Sequence, residues 1–345
     1  MVDLDFEYLI GRQKSQVLLT PTEIDFFDGI KVAITGGAGS IGASLANQLL
    51  KETNSTVFLI DSDESRLHTL FVNLPLNLRA RMQTCLADIR DAYSIETALS
   101  KIGPDLVIHA AALKHVSVVE NAPREAFLTN VLGTHNVLRS LSISKVKYFV
   151  FVSTDKAANP IGILGKTKLV GEYLTAGSMR LNGSIKHGVV RFGNVFLSRG
   201  SVLETFVAQI GLNEELTITN EHMDRFFIDL EEASSLILKT IVEPHSGVSI
   251  LKMGAAVKIL DLIERLIAKV GKPIRYKVIG VKPGEKITEE LFTPKEKLSA
   301  VDFPEYTFAN FTRYIGLTEV FSKNFSTDED ASLAIENLLK NSHEI

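Results

Sequence analysis

The sequence predicts an α/β protein built on a doubly wound parallel sheet, followed by a smaller mixed α/β unit. The first observation is alternation: from Lys31 to about Phe192, short β-rich runs trade places with segments of helical pattern. The second is that several of these runs are apolar almost throughout, as strands covered on both faces must be. The expected strands are Val32–Thr35, Val57–Asp61, Met82–Leu86, Leu106–His109, Tyr148–Ser153 and Gly188–Phe192. Between them, Ile41–Glu52, Glu64–Asn73, Ala92–Lys101, Pro123–Leu141 and Gly165–Asn182 have helical composition, with Gly103-Pro104 closing the third. The third is that the strict alternation fades after Phe192, where short strands at Leu216–Thr219 and Val248–Met253 sit among helices Leu230–Val242 and Ile259–Val270.

This organisation divides the chain into an N-terminal extension (1–30), a dinucleotide-binding domain (31–192), a mainly substrate-binding domain (193–300) and a C-terminal extension (301–345) with a helix from about Asp328 to Asn341. No repeat, low-complexity tract or heptad series interrupts it. With 45% apolar and 23% charged residues, and no run approaching the roughly 20 apolar residues of a membrane span, a water-soluble globular protein is expected. Asp3, Asp5 and Glu7 stand where a secretory leader would carry positive charge, and the single Cys85, in an expected strand, suits packing and a reducing cytoplasm. A net charge of -4 offers no basic excess for nucleic acid or an anionic membrane. No histidine pair has convincing metal spacing with acidic partners, so no metal is expected.

The segment Val32-Ala33-Ile34-Thr35-Gly36-Gly37-Ala38-Gly39-Ser40-Ile41-Gly42 joins an apolar strand to a helix. Gly36 suits a tight turn, Gly39 a close approach of backbone to a pyrophosphate, and Gly42 close helix–strand packing, while Ser40 and Ile41 open the helix whose N-terminus attracts phosphate. Asp61 ends the second strand, where a carboxylate accepts both adenosine ribose hydroxyls and repels the extra phosphate of NADP. A Rossmann-type site for NAD, with NADP disfavoured, follows. Arg66 is near enough in sequence to weaken that preference, but reads better as a surface helix residue. Asp88 and Ile89, just beyond the third strand, are expected at the adenine edge, the alternative for Asp88 being a helix cap.

Ser153-Thr154-Asp155-Lys156 lies just past an apolar strand, where open parallel sheets place their ligand crevice. An acid beside a lysine can divide proton delivery from proton removal, though a surface ion pair has the same spelling. Lys168 follows in Leu164-Gly165-Lys166-Thr167-Lys168, and here the chain resembles the extended short-chain dehydrogenase/reductase superfamily over nearly its whole length. More narrowly it is similar to the UDP-N-acetylglucosamine 4,6-dehydratases, particularly the C5-inverting branch. The motifs that carry the resemblance are Thr35–Gly42, His109-Ala110-Ala111-Ala112-Leu113-Lys114-His115-Val116, Ser153–Pro160, Arg191-Phe192-Gly193-Asn194-Val195, Ser198-Arg199-Gly200-Ser201-Val202, Met223-Asp224-Arg225-Phe226-Phe227 and Pro283-Gly284-Glu285-Lys286.

The resemblance implies a reaction in which a bound NAD takes hydride from sugar C4, water leaves across C5 and C6, and hydride returns to C6. It assigns Asp155 as acid for the departing C6 hydroxyl, Lys156 as base at C5, and Lys168 to the nicotinamide ribose. Ala110, Ala111 and His115 become cofactor contacts, and Lys114 and Val116 sugar contacts. For the nucleotide diphosphate it offers Arg199, Arg225 and Lys282, the last a point charge where the family commonly has arginine. Asn194 and Glu285 would meet sugar or uridine hydroxyls, with Ser201, Val202 and Thr219 lining the cleft. One departure stands out: Leu164 occupies the place of the superfamily's catalytic tyrosine, one helical turn before Lys168. Thr154, directly or through a water, is the expected substitute for relaying the C4 hydroxyl proton. A nucleotide-sugar epimerase and a non-catalytic NAD-binding or redox-sensing protein are the alternatives, and relatives of this kind form homo-oligomers.

Overall fold

The computed structural model describes residues 4–15, 17–242, 246–271, 273–320 and 326–345. Its centre is a sheet of β1 (Lys31–Thr35), β2 (Thr56–Asp61), β3 (Met82–Leu86), β4 (Leu106–His109), β5 (Tyr148–Val152), β6 (Lys186–Arg191), β7 (Val248–Leu251), β8 (Val301–Asp302) and β9 (Tyr306–Ala309). The spatial order is β8-β9-β7-β6-β5-β4-β1-β2-β3, so the chain reverses direction across the sheet between β1 and β4. Strands β1 to β7 are parallel, and β9 and β8 close one edge antiparallel. In β1, β4 and β5 nearly every residue after the first is buried, because helices cover both faces.

Sequence and structure part company at β7, β8 and β9. Val248–Leu251, expected within the smaller unit, pairs in parallel with β6, and Tyr306–Ala309, expected in a terminal extension, pairs antiparallel with β7. A short apolar run does not reveal its sheet, because strand pairing is nonlocal. The expected helix over Pro123–Leu141 is continuous but contains one π-helical stretch, Phe127–Leu132, between Pro123–Ala126 and Gly133–Leu141.

The smaller unit has a core of its own. Phe196, Leu203, Phe206, Leu216, Ile218, Met223, Phe227 and the buried face of helix Ile259–Val270 pack together, and Phe6, Leu9 and Ile10 from the N-terminal helix complete the cluster. The ion pair Arg12–Glu232 at 2.7 Å fixes that N-terminal segment. At the other end, helix Asp328–Lys340 lies against Ile163–Leu181 and is linked to it by Lys166–Glu336.

Under the site lies a buried charge network. Arg191, at the end of β6 and fully buried, is held between Glu172 (2.5 Å) and Glu296 (2.8 Å). Glu172 also accepts the Ser153 hydroxyl at 2.5 Å. The end of β5, the end of β6 and helix Ile163–Leu181 are thereby tied just before the turn that bears Thr154, Asp155 and Lys156.

Candidate active site

The glycine turn follows β1 where the sheet changes direction, the usual ligand crevice of an open α/β sheet. Gly36 has φ +68°, and a Cβ there would fall 2.6 Å from the Ala111 nitrogen, so a side chain is excluded both by backbone conformation and by the neighbouring strand end. A Cβ on Gly42 would strike the Gly36 carbonyl. Gly39 is the N-cap of helix Ser40–Glu52 and supplies no side-chain cap, so the first-turn amides of Ser40, Ile41 and Gly42 are open to an anion. Asp61 rims the turn, its carboxylate accepting Ala38 N at 2.9 Å and Asp63 N at 3.0 Å. Ala110 and Ala111 continue β4 across from it, Ala110 N bonding the Thr35 carbonyl at 3.0 Å. This uncapped, side-chain-free cradle with an acid at its far edge fits a dinucleotide.

The adenine-edge pair behaves in two ways. Ile89 is buried against Gly133, while Asp88 is clasped by Arg90, Nη2 to Oδ2 at 2.6 Å, and that hydrogen bond holds its carboxyl below the usual range. Asp88 is neither the helix cap, which is Asp91, nor a free acceptor.

The expected catalytic residues lie on a short 3₁₀ turn, Asp155–Ala157, with Thr154 as its N-cap. Asp155 N bonds the Phe192 carbonyl at 3.0 Å, so the turn is anchored beyond the end of β6. The Thr154 hydroxyl donates to Asp155 Oδ1 at 2.9 Å, and Lys156 Nζ lies 3.0 Å from the same oxygen. Asp155 is completely buried, and its Oδ2 has no hydrogen-bond partner among the described residues. An acceptor left without a partner in the interior is costly, and such an atom waits for a ligand or a proton. Asn194 Oδ1 accepts from Lys156 Nζ at 3.2 Å, which brings two of the expected residues together.

Lys168 rises from helix Ile163–Leu181 with its ammonium 4.1 Å from the centre of the Phe151 ring. Burial pushes it down to about 7, against a smaller opposing pull from Glu172. Leu164, one turn earlier, is buried with Val119 and Ala126 against Leu113 and Val116. It also lines a small cavity shared with Val116, Lys156 and Glu289, so no hydroxyl stands where the superfamily's tyrosine would place one.

The remaining expected contacts fall into two groups. Lys114, His115 and Arg199 converge: His115 packs on Gly200, Lys114 Nζ is 3.5 Å from Ser198 Oγ, and Arg199 Nη2 reaches Ala38 O at 2.9 Å across the glycine turn. Burial lowers both Lys114 and His115, the latter helped by Lys114 itself. Ser201 caps helix Val202–Gly211, which begins beside them. Arg225, expected on a diphosphate, instead donates to the carbonyls of Asp224 (2.6 Å), Lys286 (2.9 Å) and Ile287 (3.1 Å), because its buried guanidinium faces the turn that follows Gly284. Lys282 and Glu285 are exposed or half-buried within that turn, bonded to each other through Lys282 N and Glu285 Oε2 at 3.2 Å, and Thr219 lies apart against Met223 Sδ at 3.1 Å.

Two further positions beside the candidate site escaped sequence reasoning. Asn130, in the π-helical stretch, accepts from Leu113 N (2.8 Å) and donates to Leu113 O (3.0 Å) and Thr167 Oγ1 (3.1 Å), fixing the loop after β4 to the Lys168 helix. Glu289 is buried with Oε1 3.7 Å from Lys156 Nζ. Its only signal in the sequence was its place shortly after Lys286.

A sheet of this order, with a glycine turn after its first strand and an ion-paired Asp155 and Lys156 just beyond its fifth, gives the chain the architecture of an extended short-chain dehydrogenase/reductase. It belongs to the polysaccharide biosynthesis protein family, which it matches over residues 32–311. It is 39% identical over 282 residues to the uncharacterized membrane protein MJ1061 of Methanocaldococcus jannaschii, covering 79% of this chain and 83% of that one. No described helix here is long and apolar enough to cross a membrane. Against the probable polysaccharide biosynthesis protein EpsC of Bacillus subtilis, 34% identical, the match takes in 88% of this chain but only 51% of EpsC, so the chain spans about half that relative's length. Two further relatives bear different reaction names. The UDP-N-acetylglucosamine 4,6-dehydratase (inverting) of Campylobacter jejuni is 33% identical over 81% of this chain and 82% of its own, and the UDP-glucose 4-epimerase of Rickettsia bellii 35% over 79% and 80%. Among solved structures, Pen from Bacillus thuringiensis superposes with a TM-score of 0.78 at 35% identity, covering 83% of this chain and 90% of that one.

Proposed function

We propose that this chain is an NAD-dependent nucleotide-sugar 4,6-dehydratase acting in the cytoplasm, as a homo-oligomer, in surface polysaccharide or glycoconjugate synthesis. UDP-N-acetylglucosamine is the proposed substrate and a 4-keto-6-deoxy sugar inverted at C5 the product. The observation that carries this reading is the Thr154–Asp155–Lys156 array, in which one buried carboxylate oxygen is shared by a hydroxyl and an ammonium. An epimerase needs one proton relay at C4. Elimination of water needs an acid and a base besides, the roles that Asp155 and Lys156 would fill.

Bound NAD supplies a hydride acceptor and donor that no side chain provides. The chain's own groups move the protons. Thr154 Oγ1 takes the C4 hydroxyl proton as its own passes along the existing hydrogen bond to Asp155 Oδ1. Asp155, now a carboxylic acid, protonates the C6 hydroxyl, which leaves as water. Lys156 removes the C5 hydrogen, acidified by the C4 ketone. Lys168 would bind the nicotinamide ribose, and the uncapped amides at Ser40–Gly42, with Arg199 above Ala38, suit the cofactor pyrophosphate. Asp61 supports NAD over NADP through its charge at the end of β2. On the sugar side, Lys114, His115 and Asn194 border the crevice.

Purified protein incubated with UDP-N-acetylglucosamine and followed by NMR tests the reading. A 4-keto-6-deoxy product supports it. A C4 hydroxyl epimer supports the epimerase named among the relatives, and an unchanged sugar rules out both.

A further inference from the structure

Lys156 does not face Asp155 alone. Its ammonium also lies 3.7 Å from Glu289 Oε1, and the side chains of Asp155 and Glu289 are 0% and 2% exposed. Each carboxylate has one oxygen, Asp155 Oδ2 and Glu289 Oε2, with no hydrogen-bond partner among the described residues. The segment bearing Glu289 is pinned in place by Arg225 through the Lys286 and Ile287 carbonyls and by Lys286 Nζ on Ala158 O at 2.9 Å. Two buried carboxylates therefore flank one lysine, which is ion-paired with both. As an ammonium, Lys156 cannot accept a proton from C5.

We infer that Glu289 discharges Lys156, accepting the ammonium proton on its carboxylate so that Lys156 meets the sugar as a free amine. This rests on the dehydratase reading and adds the residue that reading lacks. Glu289 Oε1, 3.7 Å from Nζ, is the oxygen that would take the proton. The proton account then closes. The site begins with one ammonium and two carboxylates. Thr154 delivers the C4 hydroxyl proton to Asp155, and Lys156 gives its proton to Glu289, which leaves a neutral amine and two carboxylic acids. The Asp155 proton departs with the C6 oxygen as water while Lys156 takes the C5 hydrogen. Whether Lys156 or Glu289 then returns a proton to C5, the site is restored to one ammonium and two carboxylates.

The surroundings suit a carboxyl that holds a proton. Burial pushes Glu289 up, Lys156 pulls it down, Asp155 adds to the rise, and Arg225 and Lys286 lower it by less; the net direction is upward. Glu289 does not touch the sugar in this account. It is a positioning and proton-holding residue that acts through Lys156.

The test uses full-length, NAD-loaded protein and the isosteric variant Glu289→Gln, which cannot accept the proton. With UDP-N-acetylglucosamine at pH 7, the variant is expected to lose about 100-fold in kcat with KM nearly unchanged. Its rate should climb with pH, because Lys156 must now release its proton to solvent, whereas the wild-type rate stays flatter, and Glu289→Asp should recover part of the loss. A variant with wild-type kcat and pH profile overturns the inference. In the absence of sugar, 13C NMR of the Glu289 carboxyl should show it titrating above the ordinary glutamate range and higher still in Lys156→Met; an ordinary titration unaffected by Lys156→Met overturns it independently. A wild type that forms no 4-keto-6-deoxy sugar overturns the dehydratase reading and this inference with it, a result distinct from an active wild type with an equally active variant.

Discussion

The Thr154 hydroxyl donates at 2.9 Å to Asp155 Oδ1, the same oxygen that lies 3.0 Å from Lys156 Nζ. With Leu164 in place of a tyrosine, this hydrogen bond is the proposed path for the C4 proton. Thr154→Val keeps the side-chain shape and removes the relay, so kcat is expected to fall about 100-fold, while Thr154→Ser retains most of it. Steady-state kinetics of the two variants decide the matter. Wild-type turnover by Thr154→Val would remove Thr154 from the mechanism.

Lys168 gives the stability of the protein a pH dependence of its own. Its folded-state value, about 7, lies below its ordinary 10.5. Between these values the unfolded chain holds a proton that the folded chain has released. Cofactor-free protein should therefore become more stable as pH rises through that window, by at most roughly 1.4 kcal/mol per pH unit from this group. Urea unfolding of wild type and Lys168→Met from pH 7 to pH 9 checks it: the variant should show a flatter dependence.

Gly36 and Gly103 both have positive φ, +68° and +56°, but only Gly36 has backbone pressed against it. Gly103→Ala should cost about 1 kcal/mol. Gly36→Ala should cost more, at least about 1–3 kcal/mol from strain alone, and should abolish NAD binding by displacing Ala111. Chemical denaturation with calorimetric NAD titration separates the two effects.

Arg191 is ion-paired with Glu172 and Glu296 in the protein interior. Arg191→Met leaves two buried carboxylates without a cation and should destabilise the protein by about 3–5 kcal/mol. Because Glu172 also accepts from Ser153, the variant should lose activity even at temperatures where it remains folded. An unfolding midpoint unchanged from wild type would contradict the structural role given to this network.

The legible parts of the molecule were those with local signals. Met82–Leu86 and Leu106–His109 form strands over the residues their composition indicated, and Gly36, Gly39 and Gly42 take the positions their spacing required. Nonlocal pairing was not legible: nothing within Tyr306–Ala309 announces that it will lie antiparallel to Val248–Leu251. Charge alone did not reveal the second role of Arg225, whose guanidinium donates to the carbonyls of Lys286 and Ile287. Glu289 was hidden for a related reason, since the fold, and not its spacing from Lys156 in the chain, brings the two side chains together.

Dehydration predicts that the hydrogen leaving C4 ends at C6 of the same sugar, whereas epimerisation returns it to C4. UDP-N-acetylglucosamine carrying deuterium at C4 tests this most directly. The account predicts a 4-keto sugar whose new C6 methyl carries the label; label retained at C4 of an unchanged or epimerised sugar would contradict it.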